Sequence, residues 1–343
     1  MHRLPVELLQ AVFLLLVNDI PNCPSIFSTG TTTMSANFAS PPLLFTRVCR
    51  HWRDVAHSTP GIWSRIKVEL PGALVQPLKP FFPSLLQYWL ARSGNLPLTI
   101  RIEEILPSNL LYARAPNDGN SRLLKIIYDE MRRWETVFGC PAELGLSDNF
   151  NTPQLRTLEQ LWDISDLTKF NAPNLRHLRV MYSLSVSIRS FRPNAACGSI
   201  RHLYLHQVLP SRIRYFPAIF PRLETLDVHV LTPHIQGMDM GSHSDTYSCL
   251  ESMTLPFDRL SRDTFTIIFR GLHLPVLQKL TLVLGPGKPR VEKITEALAV
   301  AGSCNIKVVD FRLHESGNDL DVHTLEPLLS VVQEVAVCGE VMV

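Results

Sequence analysis

The sequence predicts an α/β chain in which a small N-terminal helical domain is followed by an irregular leucine-rich-repeat α/β solenoid. Three observations carry this. Apolar residues recur at helical spacing in two stretches near the start. From Pro153 onward a loose x-L-x-x-L-x-L unit returns eight times. Between the late units lie further helical patterns, so strand and helix alternate.

The first helical pattern begins at Leu4-Pro5-Val6-Glu7-Leu8-Leu9, which places proline at the first helical position and an acid in the first turn, both suited to a helix N-terminus. Leu9, Val12, Phe13 and Leu16 then share one face. The second pattern runs from Leu43 to Trp63: Leu44, Val48, Trp52 and Val55 make one apolar stripe of a single amphipathic helix, with Arg47, Arg50, Arg53 and Asp54 facing away. Ser58-Thr59-Pro60-Gly61 breaks it, and Ile62, Trp63 and Ile66 follow as a second apolar group. Residues 18–41, rich in Ser, Thr, Asn and Pro, separate the two patterns and read as a surface loop insert, since closure entropy grows slowly with loop length.

The Leu-Pro-x-Glu-Leu-Leu opening, the Val48-Cys49-Arg50-x-Trp52 core and the Ser-Thr-Pro-x-x-Trp close resemble the F-box, in particular the F-box-like variants of mushroom-forming fungi. Most F-boxes have only a few residues where this chain has 18–41. The resemblance implies a helical domain over 1–70 that docks onto the Skp-type adaptor of a cullin ubiquitin ligase. It also implies the docking residues Leu4, Pro5, Leu8, Leu9, Phe13, Leu44, Val48, Cys49 and Trp52, some of them serving the domain's own core. The run Arg47, Arg50, His51, Arg53 reads as a solvated helix face that would also complement an adaptor that is acidic in that family.

Residues 71–133 form a connector with short helices and a first strand. Lys67 to Pro83 is rich in Pro and Gly. Leu85, Leu86, Trp89 and Leu90 mark a short helix that Ser93-Gly94-Asn95 stops, and Leu96 to Ile102 alternates apolar and polar residues as a strand does. This order again resembles the region after the F-box in the fungal proteins. A further amphipathic helix carries Leu123, Ile126, Ile127, Met131 and Trp134.

Residues 134–343 form the repeat domain. Its units are Leu155/Leu158, Leu175/Leu178/Val180, Ile200/Leu203/Leu205, Leu223/Leu226/Val228, Leu250/Met253/Leu255, Leu277/Leu280/Leu282, Ile306/Val309/Phe311 and Val332/Val335/Val337. Their first positions stand 20 to 29 residues apart, the leucine-rich-repeat range. In each unit the last two apolar positions point to one face of a short strand, and a coil cannot bury that face without its neighbours. Pro153, Pro173, Pro221 and Pro275 each lead into a strand. Return helices are read at Phe265 to Leu272 and at Val291 to Ala301. The other reading of the same alternation is a generic α/β domain with parallel strands. The sites that hold Asn or Cys in well-formed repeats carry Asp163, Ser183, Val208, Leu231, Asp258, Gly285 and His314, so the repeats are degenerate. Beyond Val337 no polar cap is visible, which leaves an unconventional cap, a covering partner or a fragment as readings.

Bulk composition narrows the function classes. With 343 residues, 45% hydrophobic, 19% charged and a net charge of +2, the chain lacks the concentrated basic face that nucleic-acid binding requires. Seven scattered cysteines without C-x-x-C, and no N-x-Ser/Thr sequon, point to reduced thiols inside a cell, cytoplasmic or nuclear. Glu7, Gln10 and Pro5 argue against a leader peptide at the N-terminus, and no apolar run is long enough to span a membrane. Among twelve histidines the nearest pairs in sequence, His202/His206 and His229/His234, lack a second pair at ligand spacing, so no metal is expected. Gly285-Pro286-Gly287-Lys288-Pro289 has neither the first glycine nor the Ser/Thr of a phosphate loop, and Trp162-Asp163 occurs once, which excludes a propeller repeat. No nucleophile, acid/base or cofactor motif is present, so neither a catalytic residue nor a cofactor is expected. The sequence therefore leads to a non-enzymatic substrate receptor that joins an adaptor, and through it a cullin, to a target protein. The alternative is a repeat scaffold whose F-box-like helices only cap the solenoid.

Overall fold

Helix α1 (Val6–Asn18) starts at Pro5 and buries Leu9, Phe13 and Val17, one residue per turn on a single side. The computed structural model describes residues 4–29, 33–70, 79–104, 118–139, 149–182, 193–232, 245–257, 264–269, 272–285, 294–296, 298, 306–313 and 325–341. It is mixed α/β with a large, mostly parallel sheet. The chain packs as two units, one of Met1–Glu159 with Lys169–Asn174, the other of Gln160–Thr168 with Leu175–Val343.

In the first unit the segment expected to be a polar surface loop is partly internal. Strands β1 (Phe27–Thr29) and β2 (Met34–Ala36) pair antiparallel. Cys23, Ile26, Phe27 and Met34 are buried. The Ile26 amide donates to the Lys67 carbonyl at 3.1 Å and the Lys67 amide to the Pro24 carbonyl at 2.8 Å, which stitches the insert to β3 (Arg65–Leu70). Phe27 meets the edge of Phe82, ring centroids 5.2 Å apart. A few apolar residues scattered among Ser and Thr are enough to fold the insert onto the sheet, and composition alone outvoted them.

The helix expected across Leu44 to Val55 is two helices, α2 (Phe45–Val48) and α3 (Arg50–His57). Cys49 between them is extended (φ −157°, ψ 171°), and its Sγ accepts the Trp52 amide at 3.4 Å as an N-cap. A short 3₁₀ turn, Pro60–Trp63, follows where the Ser-Thr-Pro-Gly break was placed. A Cβ at Gly61 would stand 2.9 Å from Leu14 Cδ2, so glycine lets this turn approach α1.

The Pro- and Gly-rich stretch read from Lys67 begins inside β3. Helix α4 (Phe81–Arg92) ends at Ser93, as the Ser-Gly-Asn signal predicts, and leads to β4 (Leu98–Glu104). Helix α5 (Asp118–Asp129) stops before Trp134, which opens β5 (Trp134–Phe138) rather than closing the helix. Short strands β6 (Phe150–Asn151) and β8 (Phe170–Asn171) flank β7 (Thr157–Asp163), and Phe150 stacks on Phe170 at 4.7 Å. Strands β3, β4, β5 and the start of β7 run parallel with Ile66 opposite Ile100, Ile100 opposite Val137 and Val137 opposite Leu158.

The second unit continues the same rule. Its strands are β9 (His177–Tyr182), β10 (His202–Val208), β11 (Thr225–Leu231), β12 (Asp245–Thr246), β13 (Ser252–Phe257), β14 (Leu272–His273), β15 (Lys279–Leu284), β16 (Val308–Leu313), β17 (Glu334–Val337) and β18 (Glu340–Val341). From β10 on, each long strand pairs in parallel with the long strand before it, and the motif positions align: Leu178, Leu203 and Leu226; then Met253, Leu280, Val309 and Val335. All of the repeat positions named above except the half-exposed Val337 are buried. One residue after each unit's first position, amide and carbonyl form a continuous run: Arg201 to Arg176, Glu224 to Arg201, Glu251 to Glu224, Gln278 to Glu251, Lys307 to Gln278, Gln333 to Lys307, all between 2.8 and 3.2 Å.

The connections carry α6 (Ala195–Ser199), α7 (Pro210–Ile213), α8 (Phe216–Ile219) and α9 (Thr264–Phe269). Leu272, expected at the end of the α9 helix, belongs to β14 instead. Of the later return helix, residues 294–296 and 298 are helical and the remainder lies outside the described residues. Two of the degenerate repeat sites, Val208 and Leu231, are buried apolar side chains. Ser183, Asp258 and His314 fall outside the described residues. Past β17 the chain reverses at Cys338–Gly339, both at positive φ, into antiparallel β18, and the buried Asp310 accepts the Gly339 amide at 3.0 Å and lies 3.2 Å from Lys279 Nζ.

Because Phe27 is fully enclosed, Phe27→Ala should cost about 3–5 kcal/mol, the range for a buried Phe, read as a lower urea midpoint. An unchanged midpoint would show that the insert is dispensable to the first unit.

Candidate functional site

Three aromatic rings hold the N-terminal helices together. Phe13 of α1 lies flat on Phe45 of α2, ring centroids 4.1 Å apart at 7°, and Trp52 of α3 meets Phe13 at 5.1 Å and Phe45 at 6.3 Å edge-on. Arg53 Nε donates to the Thr46 carbonyl at 2.8 Å, which ties α3 back to α2. Trp63 belongs to a different cluster. Its Nε1 donates to the Ala56 carbonyl at 2.8 Å, and its ring meets Trp89 edge-on at 5.4 Å.

With the core filled in this way, α1 presents a second apolar side to solvent. Leu4, Leu8, Val12 and Leu15 follow one another at helical spacing and are 60%, 54%, 42% and 70% exposed. Leu16 beside them, and Leu44 and Val48 on α2, are exposed as well. The nine residues singled out by resemblance thus separate: Leu4, Pro5, Leu8, Leu44, Val48 and Cys49 are exposed, Leu9 and Phe13 are core, and Trp52 is half-buried. Of the four residues expected to share one face, Leu9 and Phe13 are buried but Val12 and Leu16 are exposed, and Val17 is buried with the first two. A helix apolar on two sides leaves its orientation undetermined by periodicity. Val12 and Leu15 extend the exposed ridge beyond the residues the sequence singled out, and Phe45 supplies the missing ring of the core. Phe45 was legible in principle, seven residues before Trp52 and so on the same helical face.

Arg47, Arg50 and Arg53 are exposed, with the Arg47 guanidinium 4.7 Å above the Phe38 ring. His57 closes α3, and its Nε2 lies 2.8 Å from the Tyr88 hydroxyl. Its pKa is held below the ordinary histidine value, first by burial, then by Arg92, with Asp54 pulling the other way.

The histidine pairs are not those read from sequence proximity. His177 stacks on His202 at 4.4 Å and His206 on His229 at 5.0 Å, each pair reaching across neighbouring strands. Aligned by repeat, the signal was present: His177 and His202 both precede the unit's second apolar position, and His206 and His229 both follow its third. His234 lies outside the described residues, as do residues 286–289 of the Gly-Pro-Gly-Lys-Pro stretch. Among the described residues no group of three or more His, Cys, Asp or Glu side chains is placed to hold a metal ion, no helix is long and apolar enough to cross a membrane, and Cys23, Cys49, Cys197, Cys249 and Cys338 are free thiols.

The class defined by these observations is a mixed α/β chain with in-register parallel strands and N-terminal helices that keep an apolar ridge exposed. Comparisons with models of known protein families, with curated proteins and with solved structures return no significant match.

Core and ridge separate under mutation. Phe13→Ala should cost about 3–5 kcal/mol while Leu15→Ser stays within about 0.5 kcal/mol, compared by urea unfolding; equal costs would refute the assignment of faces. For His57 the depressed folded pKa means that the unfolded chain binds the proton more readily, so its contribution is intact above about pH 6.5 and is lost as the pH falls below that value. His57→Gln should flatten the fall in stability on acidification, and an unchanged pH profile would remove His57 as its source.

Proposed function

We propose that the chain is the substrate-receptor subunit of a cullin-type ubiquitin ligase, non-catalytic itself. It docks on a Skp-type adaptor through the exposed ridge of α1 and α2 and holds a target protein on a degenerate leucine-rich-repeat solenoid. The observation that carries this reading is the division of apolar residues at the N-terminus. A helix that merely capped the repeats would lay Leu8, Leu9 and Trp52 against Trp89 or the first strands. Here Trp52 spends its contact on Phe13 and Phe45, Trp89 on Trp63, and Leu8 stays exposed. A contiguous apolar surface of this kind fits a protein partner.

The energetics agree with docking. Each large aliphatic side chain that a partner covers contributes about 1.5–3 kcal/mol, so Leu4, Leu8, Val12, Leu15, Leu44 and Val48 together offset the entropic cost of association. The exposed Arg47, Arg50 and Arg53 beside them would steer an acidic partner. The solenoid reading rests on the repeat-by-repeat register of the buried positions and on the continuous amide-to-carbonyl run from Arg176 to Gln333.

The test is adaptor capture by Leu8→Asp/Leu15→Asp. Both side chains are exposed, so the variant should keep its circular dichroism and urea midpoint while losing recovery of a purified Skp-type adaptor by at least about tenfold, equivalent to about 1.4 kcal/mol. Recovery equal to that of the wild-type chain overturns the reading.

A further inference from the structure

The exposed side of β9, β10 and β11 in the second unit presents three cross-strand rows. In the first, His177, His202 and Thr225 stand side by side, with His202 Nδ1 2.9 Å from Thr225 Oγ1. In the second, Tyr204 stands between Arg179 and Asp227, and the Arg179 guanidinium lies 4.2 Å above its ring. In the third, His206 stacks on His229. His177 and His229 are exposed and the others are half-buried.

The charge of this face is set by pH. Its permanently charged groups on the three strands, Arg179 and Asp227, cancel. Four imidazoles remain, the one kind of side chain on this face that can take up a proton as the medium is acidified. On the far side β13 brings Ser252, Thr254 and Pro256, none ionisable, and at the strand entrances Arg201 is paired with Glu224 while Arg176 and Glu251 are exposed. The His206 pKa is lowered by burial, then by His229 and Arg179. The face therefore gains positive charge on acidification. Two stacked imidazolium rings repel each other, and a carboxylate placed over them relieves that repulsion.

Spacing narrows the ligand. Successive rows lie two residues apart along the strands, about 6.5 Å, and alternate side chains of an extended peptide repeat at the same distance. We infer that this face docks an extended acidic segment of a protein, with Asp or Glu at alternate positions and one carboxylate over each row, and that the stacked imidazole pairs strengthen docking on acidification. The inference rests on the receptor reading by naming the chemistry of the target. It is measured without the adaptor, so failure here leaves the adaptor test standing, and failure there leaves this one standing.

The experiment is fluorescence anisotropy of a labelled Glu-Gly-Glu-Gly-Glu peptide with the full chain at about pH 5.5 and about pH 7.5, beside the same peptide with Gln for Glu. Binding of the Glu peptide should be about tenfold or more tighter at the lower pH, with the Gln peptide weak at both. His206→Gln/His229→Gln should lose most of that pH dependence, and Asp227→Asn, which removes the opposing carboxylate, should tighten binding at both. Equal affinity at the two pH values, equal affinity for the Gln peptide, or equal displacement by a single-stranded oligonucleotide overturns the proposal. If the double histidine variant fails to fold by circular dichroism, Asp227→Asn and the Gln peptide decide it, and an Asp227→Asn affinity no tighter than that of the wild-type chain counts against it.

Discussion

Parallel pairing in register is the constraint from which the rest follows. Each strand buries side chains that are two residues apart, and these meet their equivalents only if the next strand arrives without a slip, because a one-residue slip would turn every buried Leu to solvent. The amide-to-carbonyl run from Arg176 through Arg201, Glu224, Glu251, Gln278 and Lys307 to Gln333 fixes that register at the entrances of β9, β10, β11, β13, β15, β16 and β17. Once it is fixed, whatever side chains alternate with the leucines are also stacked in rows. The histidine pairs and the Arg179–Tyr204 contact are consequences of the ladder as much as of their own chemistry.

The N-terminal unit solves a different problem. Its helices are too short to be stable alone, and their burial relies on aromatic area concentrated at Phe13, Phe45 and Trp52, with the second cluster at Trp63, Tyr88 and Trp89 beneath. Because those rings satisfy the internal packing, the aliphatic residues on the opposite side of α1 are not needed for the fold, and keeping them in water is a standing cost. Cys49 contributes at the hinge of the arrangement: by capping α3 with its sulfur it ends α2 and turns Leu44 and Val48 outward, where a continuous helix would have kept them in the Trp52 stripe.

Most of the parallel strands were legible because the same alternation returned eight times and a single errant residue could not hide it. Even so, the first parallel strands escaped the pattern. Trp63-x-x-Ile66-x-Val68 has the repeat's spacing, but a tryptophan stands where the leucine would be, and only Ile66 facing Ile100 reveals its kinship. Local signals failed where the decision was tertiary. Nothing near Ile26 and Phe27 says that β3 will accept their backbone, and nothing in α1 says which of two apolar sides meets Phe45. The break at Cys49 was hidden because cysteine is an uncommon cap, whereas Ser93-Gly94 and Pro60-Gly61, ordinary stop signals, were read at their places.

A sheet whose strands all run one way leaves its last member with unpaired amides and carbonyls, an open template for another chain to add to. Here the reversal at Cys338–Gly339, anchored by the buried Asp310 carboxylate, lays β18 along β17. Along that border β18 carries the exposed Glu340. A charge on a sheet edge disfavours pairing with a stray strand, so the Asp310 anchor, by turning the chain back, also sets a charged residue where another strand would add.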